Sequence, residues 1–156
     1  MNHGILHSLL IALQPANLSA CFVGAVIGTL VGVLPGLGPA AAMALVLPMS
    51  LKLGPTAGLI MLAGIYYGSM YGGSTTSILV NVPGEPASVV TTLDGYAMAR
   101  KGRAGAALAV AAIGSFVAGT FSVIALQFFA PLLARSALAF GPAEYFSLTV
   151  LGVVLL

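Results

Sequence analysis

The chain has 156 residues, of which 60% are hydrophobic and 5% are charged, and its mean hydropathy is +1.12. A water-soluble domain has about 25% charged residues, so the composition excludes a soluble globular protein and indicates that lipid surrounds the chain. The net charge of +2 is too small for nucleic-acid binding, and the single cysteine, Cys21, excludes a disulfide framework within the chain.

The first predicted membrane element is a charge-free helix over residues 18–34, about 25 Å long and close to the thickness of the hydrocarbon core. Glycines recur at every fourth position from Gly24 to Gly36 and predict one bare stripe, along which a second helix backbone can approach closely in lipid. The string PGLGP at residues 35–39 then breaks the helix. Irregular backbone at membrane depth needs cover from protein or a water-filled cavity, and transporters bind substrates and ions at such breaks. We therefore interpret the chain as part of a secondary transporter.

Two more apolar stretches follow this break. Residues 40–53 predict a short helix that ends near Lys52, and residues 56–80 form a longer run without any charge. Three glycines in the longer run, Gly64, Gly68 and Gly72, repeat the four-residue spacing. A run of Gly, Ser and Thr at residues 72–77 predicts a second interruption.

The charges at its two ends allow two topologies for residues 56–80. If Lys52 and the basic cluster at residues 100–103 are both cytoplasmic, the run crosses the bilayer an even number of times. Two half-helices that turn at residues 72–77 satisfy that requirement. If Lys52 is external, the same run is a single crossing. The charge pattern favours the hairpin.

The remaining elements complete a prediction of an all-α, polytopic membrane protein. Residues 87–103 are the most polar segment, and their basic end predicts a cytoplasmic location. Residues 104–134 predict a span that either tilts or breaks near Pro131. The chain ends within an apolar run, which predicts an N-terminal fragment. We therefore expect residues 1–156 to form one domain with glycine-rich broken or re-entrant helices, an incomplete bundle truncated at its C-terminal end.

With these motifs, the chain from about Leu18 onward resembles the large membrane subunit of the tripartite tricarboxylate transporters, the TctA type. The strings that carry the resemblance are GTLVGVLPGLGPAAAMALVLP at residues 28–48 and MLAGIYYGSMYGGSTTSILVNVPGEPASVVTTLDGYAMARKGRAG at residues 61–105. Both strings are long and specific. The resemblance indicates the N-terminal portion of a permease domain.

The resemblance implies a multi-pass permease of the bacterial inner membrane that takes up tricarboxylates or related organic carboxylates. It also implies two protein partners, a periplasmic solute-binding protein and a small membrane subunit. A cation gradient, of sodium or protons, would drive uptake. No other cofactor, bound metal or nucleic-acid partner is expected.

The first candidate binding element is the break at residues 35–39. Backbone N–H groups at the start of the following helix attract anions, and Gly36 and Gly38 would let a carboxylate approach the backbone closely. The alternative is a tight bend between packed helices, in which the glycines serve only the turn geometry.

The second candidate element is the Gly/Ser/Thr run. Its candidate binding residues are Gly73, Ser74, Thr75 and Thr76, and Asn81 follows them at a probable helix end. Hydroxyl groups donate hydrogen bonds to carboxylates, and oxygen ligands suit a sodium ion. The alternatives are that Ser and Thr bond to their own helix backbone, and that Asn81 is a cap or turn residue.

The remaining polar residues give no sign of an enzyme. Glu85 and Asp94 flank turn-rich or basic stretches, which predicts a surface location for both acids. A Ser–His pair, a carboxylate dyad and a metal cluster are not visible in the sequence. The alternative function is a non-transporting membrane fragment, or a structural or assembly subunit, whose glycine stripes only pack helices.

Overall fold

The computed structural model describes residues 5–138 and 140–155, and every regular element within them is helical. The α-helices of these residues are α1 (Ile5–Ala12), α2 (Pro15–Gly32), α3 (Pro39–Ser50), α4 (Pro55–Val80), α5 (Val89–Thr91), α6 (Ala104–Leu138) and α7 (Pro142–Leu155). Short 3₁₀ turns lie at Leu51–Leu53 and Pro86–Ser88, and π-helical turns at Thr92–Tyr96 and Ala99–Arg103. The all-α prediction is confirmed for this part of the chain.

The chain forms two compact units, with the boundary between Ile113 and Gly114 along α6. The first unit contains α2, α3 and α4, whose side chains Ala20, Ala42, Met61 and Ile65 form its buried core. In the second unit, α6 continues without a break past Pro131. The Tyr145 hydroxyl of α7 donates a hydrogen bond to the Ala137 carbonyl oxygen, 3.3 Å away.

Glycine holds α2 and α4 together, backbone against backbone. A Cβ added to Gly28 would lie 2.7 Å from the Cα of Ile65, and one added to Gly32 would lie 2.7 Å from the Cα of Ser69. In the reverse direction, a Cβ on Gly64 would lie 2.7 Å from the carbonyl oxygen of Cys21. Residue numbers rise together along both helices, so α2 and α4 run parallel. The two glycine stripes therefore interlock, as close packing in lipid requires.

The predicted break after α2 is confirmed. Helix α2 ends at Gly32 and α3 begins at Pro39. Proline suits the first position of a helix, because the N–H that it lacks would have no partner within the helix. The turn between them has φ of +91° at Gly36 and +37° at Gly38, values that residues with a side chain rarely adopt. Gly36 therefore lies in the turn and not on the stripe of α2, where the four-residue spacing had placed it.

The predicted interruption at residues 72–77 is wrong, and so is the hairpin built on it. Helix α4 runs unbroken from Pro55 to Val80, about 39 Å. The Ser74 hydroxyl donates to the Met70 carbonyl oxygen at 3.1 Å, and the Thr75 hydroxyl donates to the carbonyl oxygen of Tyr71 at 2.9 Å. These bonds satisfy the hydroxyls inside the helix, and the contact with α2 fixes the glycines, so nothing favours a turn.

An unbroken α4 also decides between the two topologies. Lys52 directly precedes α4, whereas Gly95 packs against Ile78 near the other end of the helix. The basic cluster that begins at Arg100 follows Gly95 within a few residues. Residues 56–80 are therefore one crossing if they span the bilayer, with Lys52 and the basic cluster towards opposite ends.

Length and composition agree with a membrane location. Within the described ranges, Pro15–Gly32 and Ala99–Arg135 are long and apolar enough to cross a membrane, and Pro39–Leu53 and Pro142–Val154 are shorter apolar helices. Helix α4 carries no charged residue and is the most buried helix of the first unit. The described helices therefore fit a membrane protein.

The interlocked stripes give a direct stability prediction. We expect Gly28→Ala to destabilise the full-length protein by at least about 1–3 kcal/mol, because a methyl group there meets rigid backbone rather than a flexible side chain. The measurement is thermal unfolding of the full-length protein in detergent.

The matched control is Gly114→Ala in α6, since nothing lies within 4 Å of a Cβ at that glycine. Alanine is the better helix former, so this control should be neutral or slightly stabilising. Equal unfolding temperatures for the two variants would contradict the packing described above.

Candidate functional site

A loop over residues 81–88 folds back onto the C-terminal end of α2 and the last turns of α4. It begins at Asn81, which ends α4 in a left-handed conformation with φ of +60°. Gly84 then lies against two backbones, because a Cβ there would clash with the Gly32 carbonyl oxygen and lie 2.5 Å from the Cα of Gly73. Only a residue without a side chain allows this approach, so Gly84 determines where the loop sits.

The loop places the carboxyl group of Glu85 beside Gly73. A Cβ on Gly73 would lie 3.1 Å from Cγ and 3.6 Å from Cδ of Glu85, and the Glu85 residue is only 8% exposed. Glu85 and Ser88 form a capping box, in which the Glu85 N–H donates to the Ser88 hydroxyl oxygen at 3.3 Å. Burial raises the pKa of the Glu85 carboxyl above its ordinary value of 4.5.

Buried hydroxyl groups lie on the part of α4 that faces this loop and on the turn before it. The Ser77 hydroxyl donates to the Gly73 carbonyl oxygen at 2.9 Å, and the Thr76 hydroxyl donates to the same oxygen at 3.0 Å. The Thr76 oxygen also lies 3.3 Å from the Cβ position of Gly84. Ser69, which packs on Gly32, is 1% exposed, and its hydroxyl has no hydrogen-bond partner. An unpaired buried hydroxyl costs about 1–3 kcal/mol.

The structure brings some of the predicted site residues together. Gly73 and Thr76 both border the loop that carries Glu85. The turn that holds Gly36 and Gly38 starts at the same level, because a Cβ on Gly72 would lie 3.1 Å from the backbone nitrogen of Val33. The LPGLGP turn and the 81–88 loop therefore emerge at the same end of the α2–α4 pair.

The other predicted site residues are less enclosed. Ser74 and Thr75 are half-buried, and both donate to carbonyl oxygens of α4, as the alternative to ligand binding predicts. Asn81 is exposed, and its left-handed conformation is the cap geometry that the sequence had offered as its other role. These local roles leave the hydroxyl lone pairs and the Asn81 amide able to accept or donate further bonds.

Sequence reasoning missed Glu85. The predicted surface location is confirmed for Asp94, which is exposed, but it is wrong for Glu85. The available signal was the string Pro83-Gly84-Glu85-Pro86, in which a glycine permits close backbone contact directly before the acid. Among the described residues, no group of three or more His, Cys, Asp or Glu side chains could hold a metal ion.

Comparison with known proteins identifies the family. Residues 18–156 match the family model described as the Tripartite tricarboxylate transporter TctA family. The chain belongs to the TctA family. A relative from Agrobacterium vitis, described as an uncharacterized 52.8 kDa protein in the TAR-I ttuC' 3'region, is 59% identical over 143 residues. The match covers 92% of this chain and 28% of that relative, and no solved structure matches.

Family membership confirms the resemblance read from the LPGLGP and NVPGEP strings. These strings correspond in the structure to the turn after α2 and the loop after α4. The candidate functional site of this TctA chain is the end of the α2–α4 pair at which both strings lie.

The burial of Glu85 predicts a pH-dependent stability difference. The folded state binds the carboxyl proton more tightly than the unfolded state, because the pKa is raised on folding. Well below the ordinary pKa of 4.5, both states hold the proton and Glu85→Gln has little effect. Above the raised pKa, the wild type must bury a charge, so Glu85→Gln should melt about 2–4 °C higher at neutral pH.

Thermal unfolding of the full-length TctA protein across this pH range is the measurement. The control is Glu144→Gln, which removes an exposed carboxylate at the start of α7. A stability gain of Glu85→Gln that grows on acidification would show that the carboxyl is not held in a desolvated place.

Proposed function

We propose that this chain is part of the permease subunit of a secondary transporter that takes up tricarboxylates or related organic carboxylates. Membership of the TctA family carries the proposal. The test is uptake of a labelled tricarboxylate by cells that produce the full-length protein with its partner subunits, compared with cells that lack it. Equal uptake by both would refute the proposal.

The transporter is proposed to be a multi-pass protein of the bacterial inner membrane. Its proposed partners are a periplasmic solute-binding protein, which delivers the substrate, and a small membrane subunit. A gradient of sodium ions or protons is proposed to drive accumulation. The tripartite family description supports this assembly.

The positive-inside rule suggests an orientation for this permease. The exposed basic cluster Arg100, Lys101 and Arg103 would lie in the cytoplasm. The LPGLGP turn and the 81–88 loop, which lie towards the same end of α4, would then face the cytoplasm too. Lys52 would be external.

The carboxylate is proposed to bind near the turn at Gly36 and Gly38. Nothing lies within 4 Å of the Cβ position of either glycine, so both leave open space beside the backbone. Helix α3 begins at Pro39, and the N–H groups of its first turn carry partial positive charge. This charge attracts a carboxylate without the permanent cation that would retain it.

Gly73, Ser74, Thr75, Thr76 and Asn81 are proposed to complete the site. Their support is position, because the last turns of α4 lie at the level of the LPGLGP turn. Each hydroxyl that donates to a helix carbonyl still has lone pairs that suit a sodium ion, and a hydroxyl can rotate to donate to a carboxylate.

The alternative function is a non-transporting fragment, or a structural or assembly subunit, whose glycine stripes only pack helices. The structure supports the packing role of the stripes. The stripes of α2 and α4 do pack two helices. Turn geometry accounts for the positive φ of Gly36 and Gly38 under either function, so the choice between the two functions rests on membership of the TctA family. We therefore favour the transporter.

A pair of glycine substitutions separates a binding role from a turn role. Gly36 and Gly54 have φ of +91° and +84°, and both have open space at the Cβ position. Alanine at either glycine costs about 1–3 kcal/mol of backbone strain. We expect Gly36→Ala to lower uptake by about tenfold or more, and Gly54→Ala to leave it within about twofold, at matched protein levels. Equal uptake by both variants would remove the binding role of the turn.

Hydroxyl removal tests the contribution of α4. We expect Thr75→Val to lower the initial rate of tricarboxylate uptake by about tenfold, because the loss of a ligand hydroxyl weakens binding by roughly 1.4 kcal/mol. The matched control is Thr120→Val in α6, whose exposed hydroxyl donates to the Phe116 carbonyl oxygen in the same local geometry. If both variants transport like the wild type, Thr75 serves only its own helix.

A further inference from the structure

The buried carboxyl of Glu85 has no part in the carboxylate site proposed above. Its side chain lies against Gly73 and is fixed by the capping box with Ser88. It is an acid 8% exposed in a family whose substrates carry the same negative charge. A second anion in this place would repel the substrate, so a role as direct substrate ligand is unfavourable.

Among the described residues, the surroundings of Glu85 contain no cation that would neutralise it. The elements packed around it are α2, α4 and the residues 86–96. The titratable side chains on these elements, besides Glu85, are Cys21, Tyr66, Tyr67, Tyr71, Asp94 and Tyr96, and none of them is a cation in any protonation state. A carboxyl in such a place is neutral only when it holds a proton.

A proton also fits the contacts better than a metal ion does. Hard metal cations in proteins take about six oxygen ligands. The contacts of the Glu85 side chain are the backbone of Gly73 and its capping partner Ser88, and the Thr76 and Ser77 hydroxyls donate to helix carbonyls. A proton needs only one carboxylate oxygen.

The packing of the 81–88 loop on α2 and α4 is more favourable when Glu85 holds a proton. The loop reaches its position through the contact of Gly84 with the Gly32 carbonyl oxygen and the Gly73 backbone. Burying a charged carboxylate there opposes this contact, whereas burying a neutral carboxylic acid does not. The backbone of Ser69 packs on the same Gly32, and its hydroxyl is buried without a hydrogen-bond partner.

We propose that Glu85 is the residue that carries the coupling proton, and that its protonation favours the 81–88 loop seated on α2 and α4. In the step, a carboxylate oxygen of Glu85 takes one proton from a hydronium ion on one side of the membrane: an O–H bond of the hydronium ion breaks, a carboxylic O–H bond forms, water is released and the negative charge of Glu85 is lost. The reverse step breaks that bond and returns the proton to water on the other side, as the loop leaves its seat. This inference rests on the proposed carboxylate transport and names proton, rather than sodium, as its driving ion.

The experiment uses the full-length transporter with its partner subunits in vesicles, with labelled tricarboxylate as the probe. Accumulation is measured under an imposed proton gradient and, separately, under an imposed sodium gradient. Exchange of substrate with preloaded vesicles is measured without any gradient. The variants are Glu85→Gln and, as the control, Glu144→Gln.

The proposal expects the wild type and Glu144→Gln to accumulate substrate under the proton gradient. Glu85→Gln should lose at least about tenfold of this accumulation, yet exchange substrate at close to the wild-type rate. Wild-type accumulation by Glu85→Gln overturns the proposal. A response to sodium alone that Glu85→Gln abolishes also overturns it, and assigns Glu85 to a sodium site.

A spectroscopic measurement keeps the test independent of transport. Infrared spectra of the purified full-length protein, recorded as the pH is lowered, should show a carboxylic-acid C=O band that forms at a higher pH than the bands of the exposed carboxyls, is absent in Glu85→Gln and is present in Glu144→Gln. A wild type without this band overturns the proposal even if uptake fails. Absence of any carboxylate uptake by the wild type, with the band present, instead refutes the proposed transport function.

Glu85→Asp covers the case in which Glu85→Gln does not reach the membrane. Aspartate keeps a titratable carboxyl but is one methylene shorter, so it withdraws the group from Gly73. Proton-driven accumulation should persist with its pH profile displaced from that of the wild type. An unchanged profile overturns the proposal.

Discussion

The contact between the backbones of α2 and α4 determines the arrangement of everything that follows in the first unit. Lipid offers no hydrophobic gain for bringing two apolar helices together, so packing must supply it. Gly28 and Gly68 permit this packing because they have no side chain, and each leaves room for a carbonyl group of the other helix. The contact extends to Gly32, where α2 ends, and the 81–88 loop packs against this end.

Two chain segments of different character meet at that end. The LPGLGP turn begins there because proline cannot continue α2 and Gly36 and Gly38 adopt positive φ. The 81–88 loop returns to it because Gly84 fits against the Gly32 carbonyl oxygen. A turn with exposed backbone and a loop with a buried acid thus lie at one end of the α2–α4 pair.

Burial has opposite consequences for the two kinds of polar group found here. The hydroxyls of Thr76 and Ser77 enter the interior at little cost, because each donates to the Gly73 carbonyl oxygen within the same helix. The carboxyl of Glu85 takes part in the capping box with Ser88, yet burial still raises its pKa. Side chains satisfied by their own helix serve the fold, whereas a group left with a desolvation cost is the one whose charge can be coupled to movement.

The sequence by itself determined the membrane character, the helical class, the break at residues 35–39 and the family. These features depend on composition, on proline and glycine geometry, and on residues close together in the chain. Only the tertiary structure decided that residues 72–77 stay helical. A Ser or Thr hydroxyl bonds to its own helix backbone as readily as to a ligand, and the contact with α2 favours the helix. The tertiary structure also decided that Glu85 is buried, because that burial depends on the contact of Gly84 with Gly32, two residues far apart in sequence. Local patterns report which backbone conformations are possible, and contacts between distant residues select among them.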